Sequence, residues 1–188
     1  NCTDDSHAAE ITVLTRDSAR ASKKLPDSVK LIESLDLITD SSSIDYVINL
    51  AGEPIADRPW TIARKRRLWQ SRIDLTNKLV SLISRLESPP KALISGSAIG
   101  WYGDGEDKVL DEKSQPHHEY THSLCDAWEK AALKAEATDV RVCIIRTGIV
   151  LSPEGGFLKR LILPFKLGLG SVLGSGKQYL SWIHIEDL

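Results

Sequence analysis

The chain has 188 residues, of which 41% are hydrophobic and 27% charged, with a formal net charge of −2. These values fit one globular domain of ordinary size with room for a sizeable core. They exclude a strongly basic nucleic-acid binder and give no electrostatic pull toward an anionic membrane, and no apolar run approaches the length of a membrane span. Residues 1–10 are polar, unlike a signal peptide, and with no methionine in the chain residue 1 is not a natural start. Three cysteines, Cys2, Cys125 and Cys143, are an odd number without metal-ligand spacing. They read as free thiols in the cytoplasm or another reducing intracellular compartment.

Residues 11–15 (ITVLT) form a short β-rich run and are expected to be a strand. Residues 16–24 are polar and open a loop or short helix. A second strand is expected at 29–32, and 45–50 (DYVINL) reads as a buried strand ending at Ala51 and Gly52. Residues 60–86 form a long helical stretch that Pro89 and Pro90 end. Within it, Arg64 to Arg67 (RKRR) reads as a solvated face. Residues 92–95 (ALIS) read as a strand followed by a flexible Gly/Ser-rich turn. Residues 120–137 read as a helix, 140–146 (VRVCIIR) as a strand, 153–156 as a turn and 158–167 as a helix. A glycine-rich loop at 168–176 then leads to an extended segment at 182–185. Strands alternating with helices imply an α/β fold with a doubly wound parallel sheet covered on both faces.

In such folds ligands bind beyond the carboxyl ends of the strands, so the residues that follow strands carry the chemistry. Arg16 directly follows ITVLT. At the end of the second strand of a dinucleotide fold, an arginine accommodates a ribose 2′-phosphate, whereas an acidic residue binds the ribose hydroxyls. Arg16 therefore favours NADP. Ala51 and Gly52 let a cofactor approach the backbone closely. Ser95, Ser97 and Tyr102, in the segment SGSAIGWYG, offer hydroxyls suited to a substrate carbonyl or alcohol. His117, His118 and His122 lack a matching carboxylate or cysteine set, so no metal is expected. Asp111 with Glu112, and Glu186 with Asp187, read as capping or solvated carboxylates.

Four segments in this order carry a resemblance: VINLAGEPIADRPW from Val47, SGSAIGWYGD from Ser95, RTGIVLSPEGG from Arg146 and LPFKLGLGSVLGSGKQYLSWIHIEDL from Leu163. Together they resemble the extended short-chain dehydrogenase/reductase superfamily and, more closely, its epimerase-like family. The resemblance implies an NADP-binding Rossmann domain over residues 1–150 and the start of a substrate-facing lobe over 151–188. It implies that Thr15 and Arg16 contact the 2′-phosphate, and that Ala51, Gly52 and Glu53 line the cofactor. Gly148 and Ile149 follow the strand whose end lies near the nicotinamide, and Ser97 matches the superfamily's active-site serine.

Two departures stand out. The family opens with a strand and a glycine-rich turn that cradles the pyrophosphate. Here ITVLT aligns with its second strand, so the first strand and turn have no counterpart. The superfamily's catalytic tyrosine is followed four residues later by lysine, but Leu124 stands at that distance from Tyr120. The neighbouring Thr121 frame places Cys125 there. Ionising an ordinary tyrosine at neutral pH costs roughly 3 pKa units, or about 4 kcal/mol. Without that lysine, Tyr120 is a poor base that could still donate a proton, and Tyr102 is the other candidate donor.

The expected activity is hydride transfer between NADP and a small hydroxyl- or carbonyl-bearing substrate, such as a nucleotide sugar. It would run as an oxidoreductase or an epimerase. A cofactor-binding regulator or sensor with weak catalysis is the second reading, and a tryptophan-rich protein-binding scaffold the third. The resemblance also admits a homodimer.

Overall fold

The computed structural model describes residues 9–55, 57–172 and 174–188. Cys2 and most of the polar opening lie outside them. Among the described residues all strand pairs are parallel and fall into three sheets. In the first, β1 (Thr12–Leu14) pairs with β2 (Lys30–Ile32) across a short helix, α1 (Ser18–Ala21). The second has the order β3 (Tyr46–Asn49), β4 (Ala92–Ala98), β5 (Arg141–Thr147). In the third, β6 (Ile149–Ser152) pairs with β7 (Trp182–His184), with α5 (Gly156–Lys166) between them. Among the described residues no helix is long and apolar enough to cross a membrane.

The long helical stretch expected over 60–86 has three parts: α2 (Ile62–Trp69), a π-helical turn (Gln70–Asp74) and α3 (Leu75–Arg85). Thr61 caps α2 by accepting from the Arg64 amide. α4 (Tyr120–Leu133) runs into a 3₁₀ turn at Lys134–Thr138, within one residue of the expected end. Two expectations about the strands change. β4 runs on to Ala98, so Ser97 sits on a strand paired with Arg146 and not on a flexible turn. Gly96 there serves close packing: a Cβ would lie 3.2 Å from the Trp128 ring. The second change is that a strand, β6, follows β5 after the single residue Gly148.

Side chains alternate between the faces of the central sheet. Val47, Leu93, Val142 and Ile144 share one face and pack on Val80 and Ile83 of α3 and on Ala132, Ala135 and Val140. A second cluster joins Leu68, Ile73, Leu124, Trp128 and Ala131 under α2 and α4. Each fully buried leucine or isoleucine contributes about 1.5–3 kcal/mol relative to exposure. The opposite face was expected to be covered as well. Among the described residues it stays open, with Ile48 63% and Ile145 42% exposed.

Thr76, fully buried on α3, joins the layers. Its Oγ1 accepts from Asn49 Nδ2 (2.8 Å) and Trp128 Nε1 (3.1 Å) and donates to the Arg72 carbonyl (2.6 Å). The hydroxyl's single donor and both acceptor positions are thus used. Thr76→Val keeps the shape and strands two buried donors. The expected loss is about 2 kcal/mol or more in urea unfolding, with Thr76→Ser losing about 1 or less.

Candidate functional site

The parallel register brings the carboxyl ends of β3, β4 and β5 together, which places Asn49, Ser97, Ala98, Thr147 and Gly148 along one edge. Two charged knots are built there.

The first holds the loop after β3. The Glu53 amide donates to Ser71 Oγ (3.0 Å), and its carbonyl accepts from Arg72 Nη2 (3.0 Å). Its carboxylate takes Arg64 Nη1 on one oxygen (3.0 Å) and Arg16 Nη1 on the other (3.2 Å). Arg64 also donates to the Pro54 carbonyl. These arginines hold the Glu53 carboxyl below the usual carboxylate range, Arg64 first and Arg16 second. Arg64 is buried, so the RKRR run is not a wholly solvated face; its Arg66 and Arg67 are exposed. The π-helical turn supplies both Ser71 and Arg72. Gly52 packs closely against Arg72: a Cβ there would lie 2.8 Å from Arg72 Cζ, so the guanidinium would have to shift. Burial lowers the Arg72 guanidinium from its ordinary value. Arg16 is 92% exposed at the end of β1 and meets the loop through Glu53. Thr15 exchanges hydrogen bonds with the Asp17 backbone. Ala51 donates to Asn49 Oδ1 at 3.4 Å.

The second knot lies under β4 and β5. Ser97 Oγ donates to Glu129 Oε1 at 2.5 Å. Arg146 closes on the same carboxylate, with Nε on Oε1 (2.9 Å) and Nη2 on Oε2 (2.8 Å). Ser97 and Glu129 are 6% and 7% exposed. The Arg146 guanidinium stacks 3.6 Å from the Trp101 ring centroid and 5.1 Å from that of Tyr102. Its bonds to Glu129 raise its already high pKa. Cys125 borders this knot, and burial pushes its thiol up.

Of the expected catalytic group, Ser97 and Tyr102 come together through Arg146, whereas Tyr120 points elsewhere. The Tyr120 hydroxyl donates to the Lys65 carbonyl at 3.0 Å, with Trp60 against its ring at 5.3 Å. Burial raises its pKa, and the charge of Arg72 offsets part of that. Gly148 passes close to β7: a Cβ there would lie 2.8 Å from the Ser181 carbonyl, and the Ile149 amide donates to that same oxygen. His122 Nδ1 donates to the Trp101 carbonyl at 2.6 Å. Among the described residues no group of three His, Cys, Asp or Glu is placed to hold a metal ion. Asp111 accepts from Ser114 and Lys113 as a turn cap.

Sequence reasoning read Arg64 as part of a solvated face and passed over Ser71, Arg72, Glu129 and Arg146. The period of two does place Arg146 on the covered face with Val142 and Ile144, and a charge on that face requires a partner. No such rule pointed to Glu129.

Comparison with known proteins shows the family and the fold. The family model described as the NAD dependent epimerase/dehydratase family matches residues 4–188. A chloroplastic SDR39U1 homolog of Arabidopsis thaliana is 40% identical over 98% of the chain. The mouse epimerase family protein SDR39U1 is 39% identical over 77%. The chain spans 54% and 50% of the lengths of these two relatives. The crystal structure of human SDR39U1 with NADPH superposes with a TM-score of 0.77 at 30% identity, covering 95% of this chain and 58% of that one. The UDP-glucuronic acid 4-epimerase of Bacillus cereus with NAD (21% identity, 88% of this chain and 55% of that one, TM-score 0.67) shares the Rossmann-type fold.

Two measurements test the second knot. Arg146→Met leaves a buried carboxylate without its guanidinium, and the expected cost in urea unfolding is about 3 kcal/mol. Thiolate is the reactive form, so the raised Cys125 thiol should alkylate with iodoacetamide at least about tenfold more slowly at pH 8 than half-buried Cys143, as read by peptide mass spectrometry. Its rate should keep climbing above the ordinary thiol range.

Proposed function

Because the chain belongs to the NAD dependent epimerase/dehydratase family, we propose that it binds NADP and exchanges hydride with a small hydroxyl- or carbonyl-bearing substrate, as an oxidoreductase or an epimerase of a nucleotide sugar. The observation that carries this reading is the pairing of exposed Arg16, at the end of β1, with the glycine loop at the end of β3. That pairing sets a guanidinium, whose fork matches a phosphate, beside the loop that the resemblance assigns to the cofactor. The human relative crystallised with NADPH supports the choice of NADP.

Thr15 and Arg16 would hold the 2′-phosphate, residues 51–53 would line the cofactor, and Gly148 and Ile149 would border the nicotinamide. The bound nicotinamide supplies or accepts the hydride. Ser97 contacts the substrate oxygen. Tyr102, beside Arg146, is the better placed proton donor, because the Tyr120 hydroxyl is already committed to the Lys65 carbonyl. Residues 151–188 face the substrate in this reading.

A second reading, a cofactor-binding sensor with weak catalysis, draws on the same Tyr120 geometry and on Leu124 in place of the lysine. In calorimetric titration of the intact protein, NADPH should bind more tightly than NADH. Arg16→Ala should cost about tenfold in NADPH affinity and remove the preference. Equal binding of the two by wild type and variant would end the Arg16 assignment. NADPH binding without turnover on carbonyl substrates would favour the sensor.

A further inference from the structure

A cleft of about 570 Å³ opens where α2, α4 and the 3₁₀ turn Ile99–Trp101 meet, a volume in the range of small-molecule sites. None of the residues given to the cofactor or the substrate oxygen above lines it. Its rings come from separate elements: Trp69 ends α2, Trp101 ends the 3₁₀ turn, and His122 stands on α4. Trp101 is held in place, with the Arg146 guanidinium 3.6 Å from its ring centroid and His122 edge-on at 5.4 Å. His118 meets His122 edge-on at 5.1 Å. Trp69 remains 38% exposed. At the lip, Asp126 and Lys130 pair at 2.7 Å, so their charges offset each other.

His122 is the most buried polar group of the cleft, at 7% exposure. Its Nδ1 lies 2.6 Å from the Trp101 carbonyl. A carbonyl only accepts, so Nδ1 carries the proton, and in the neutral ring the lone pair is on Nε2. Nε2 makes no hydrogen bond among the described residues. Nor is it sealed off: among those residues the fully enclosed side-chain nitrogens and oxygens without a partner are Arg64 Nε and Arg146 Nη1. Nε2 is therefore reached through the cleft that His122 lines. Among the described residues no third ligand joins His118 and His122 to hold a metal ion.

We propose that this cleft binds an uncharged planar heteroaromatic molecule of one or two fused rings, whose ring N–H donates to His122 Nε2. The two indoles offer faces and edges to a flat aromatic ligand. The neutralised lip gives a charged ligand no net attraction. A bare acceptor at the deepest polar point requires a donor, and a ligand carbonyl there would meet lone pair with lone pair. The site stands apart from the cofactor reading and does not depend on it.

The probe is 5-fluoroindole, titrated into the intact protein and followed by fluorine NMR, beside 1-methyl-5-fluoroindole, which lacks the N–H. Wild type should bind 5-fluoroindole saturably with a Kd of about 0.1–1 mM, as suits so small a ligand. The methylated probe should bind about tenfold more weakly. In His122→Asn the side-chain amide keeps a donor for the Trp101 carbonyl and removes Nε2. It should lower 5-fluoroindole affinity about tenfold and erase the difference between the probes. Trp69→Ala, on an exposed side chain, should weaken both probes at least about fivefold and serves where His122→Asn does not fold. Saturating NADPH should leave the Kd of 5-fluoroindole unchanged within about twofold. Absence of saturable binding by wild type up to about 5 mM overturns the site. So does equal binding of the two probes by wild type, unchanged affinity in Trp69→Ala, or displacement of the probe by NADPH.

Discussion

The Thr76 hydroxyl ties the layers of this protein together. It takes Asn49 from the end of β3 and Trp128 from α4, and gives its proton to the carbonyl of Arg72 in the π-helical turn. A buried polar group is costly unless all of its bonding capacity is met. Here one side chain meets the needs of three elements at once. Its position determines where the strand end, the helix junction and the tryptophan sit. Everything at the carboxyl edge is arranged around that point.

The π-helical turn matters for the same reason. A regular helix from Ile62 to Arg85 would rotate Ser71 and Arg72 to other directions by the extra residue in the turn. With the turn present, both reach the backbone of Glu53, and Gly52 accepts the close approach of Arg72. The loop that follows β3 is thus held by main-chain bonds, and its carboxylate is left to two arginines of different standing. Arg64 is buried and structural, whereas Arg16 is almost wholly exposed. An ion pair that exposed contributes at most about 1 kcal/mol and is easily exchanged for another anion. That is the physical reason a cofactor phosphate could take Arg16 without disturbing the loop.

The second knot has the opposite character. Glu129 and Arg146 are both largely out of water, so their pairing is obligatory, and the serine hydroxyl completes the set. A carboxylate buried on α4 beside Leu124, Trp128 and Ala132 contributes little to stability beyond what its partners return. Its effect is to orient Ser97. The superfamily's tyrosine–lysine arrangement has no counterpart in the geometry of Tyr120, which leans on α2.

The sequence by itself determined the α/β class, the order of most elements, the family and the residues at strand ends. Those features depend on local periodicity and on motifs that sit next to one another in the chain. The strand of Arg146, its alternation and even the face it shares with Val142 were legible in that way. The π-helical turn, the continuation of β4 through Ser97, the burial of Arg64 and the open face of the central sheet were not. Only the tertiary structure decided them, because each depends on a partner far away in sequence: Ser97 on Glu129, Arg64 on Glu53, Gly96 on Trp128. A charged residue carries the same letter whether it meets water or a buried counter-charge, and packing alone determines which it meets.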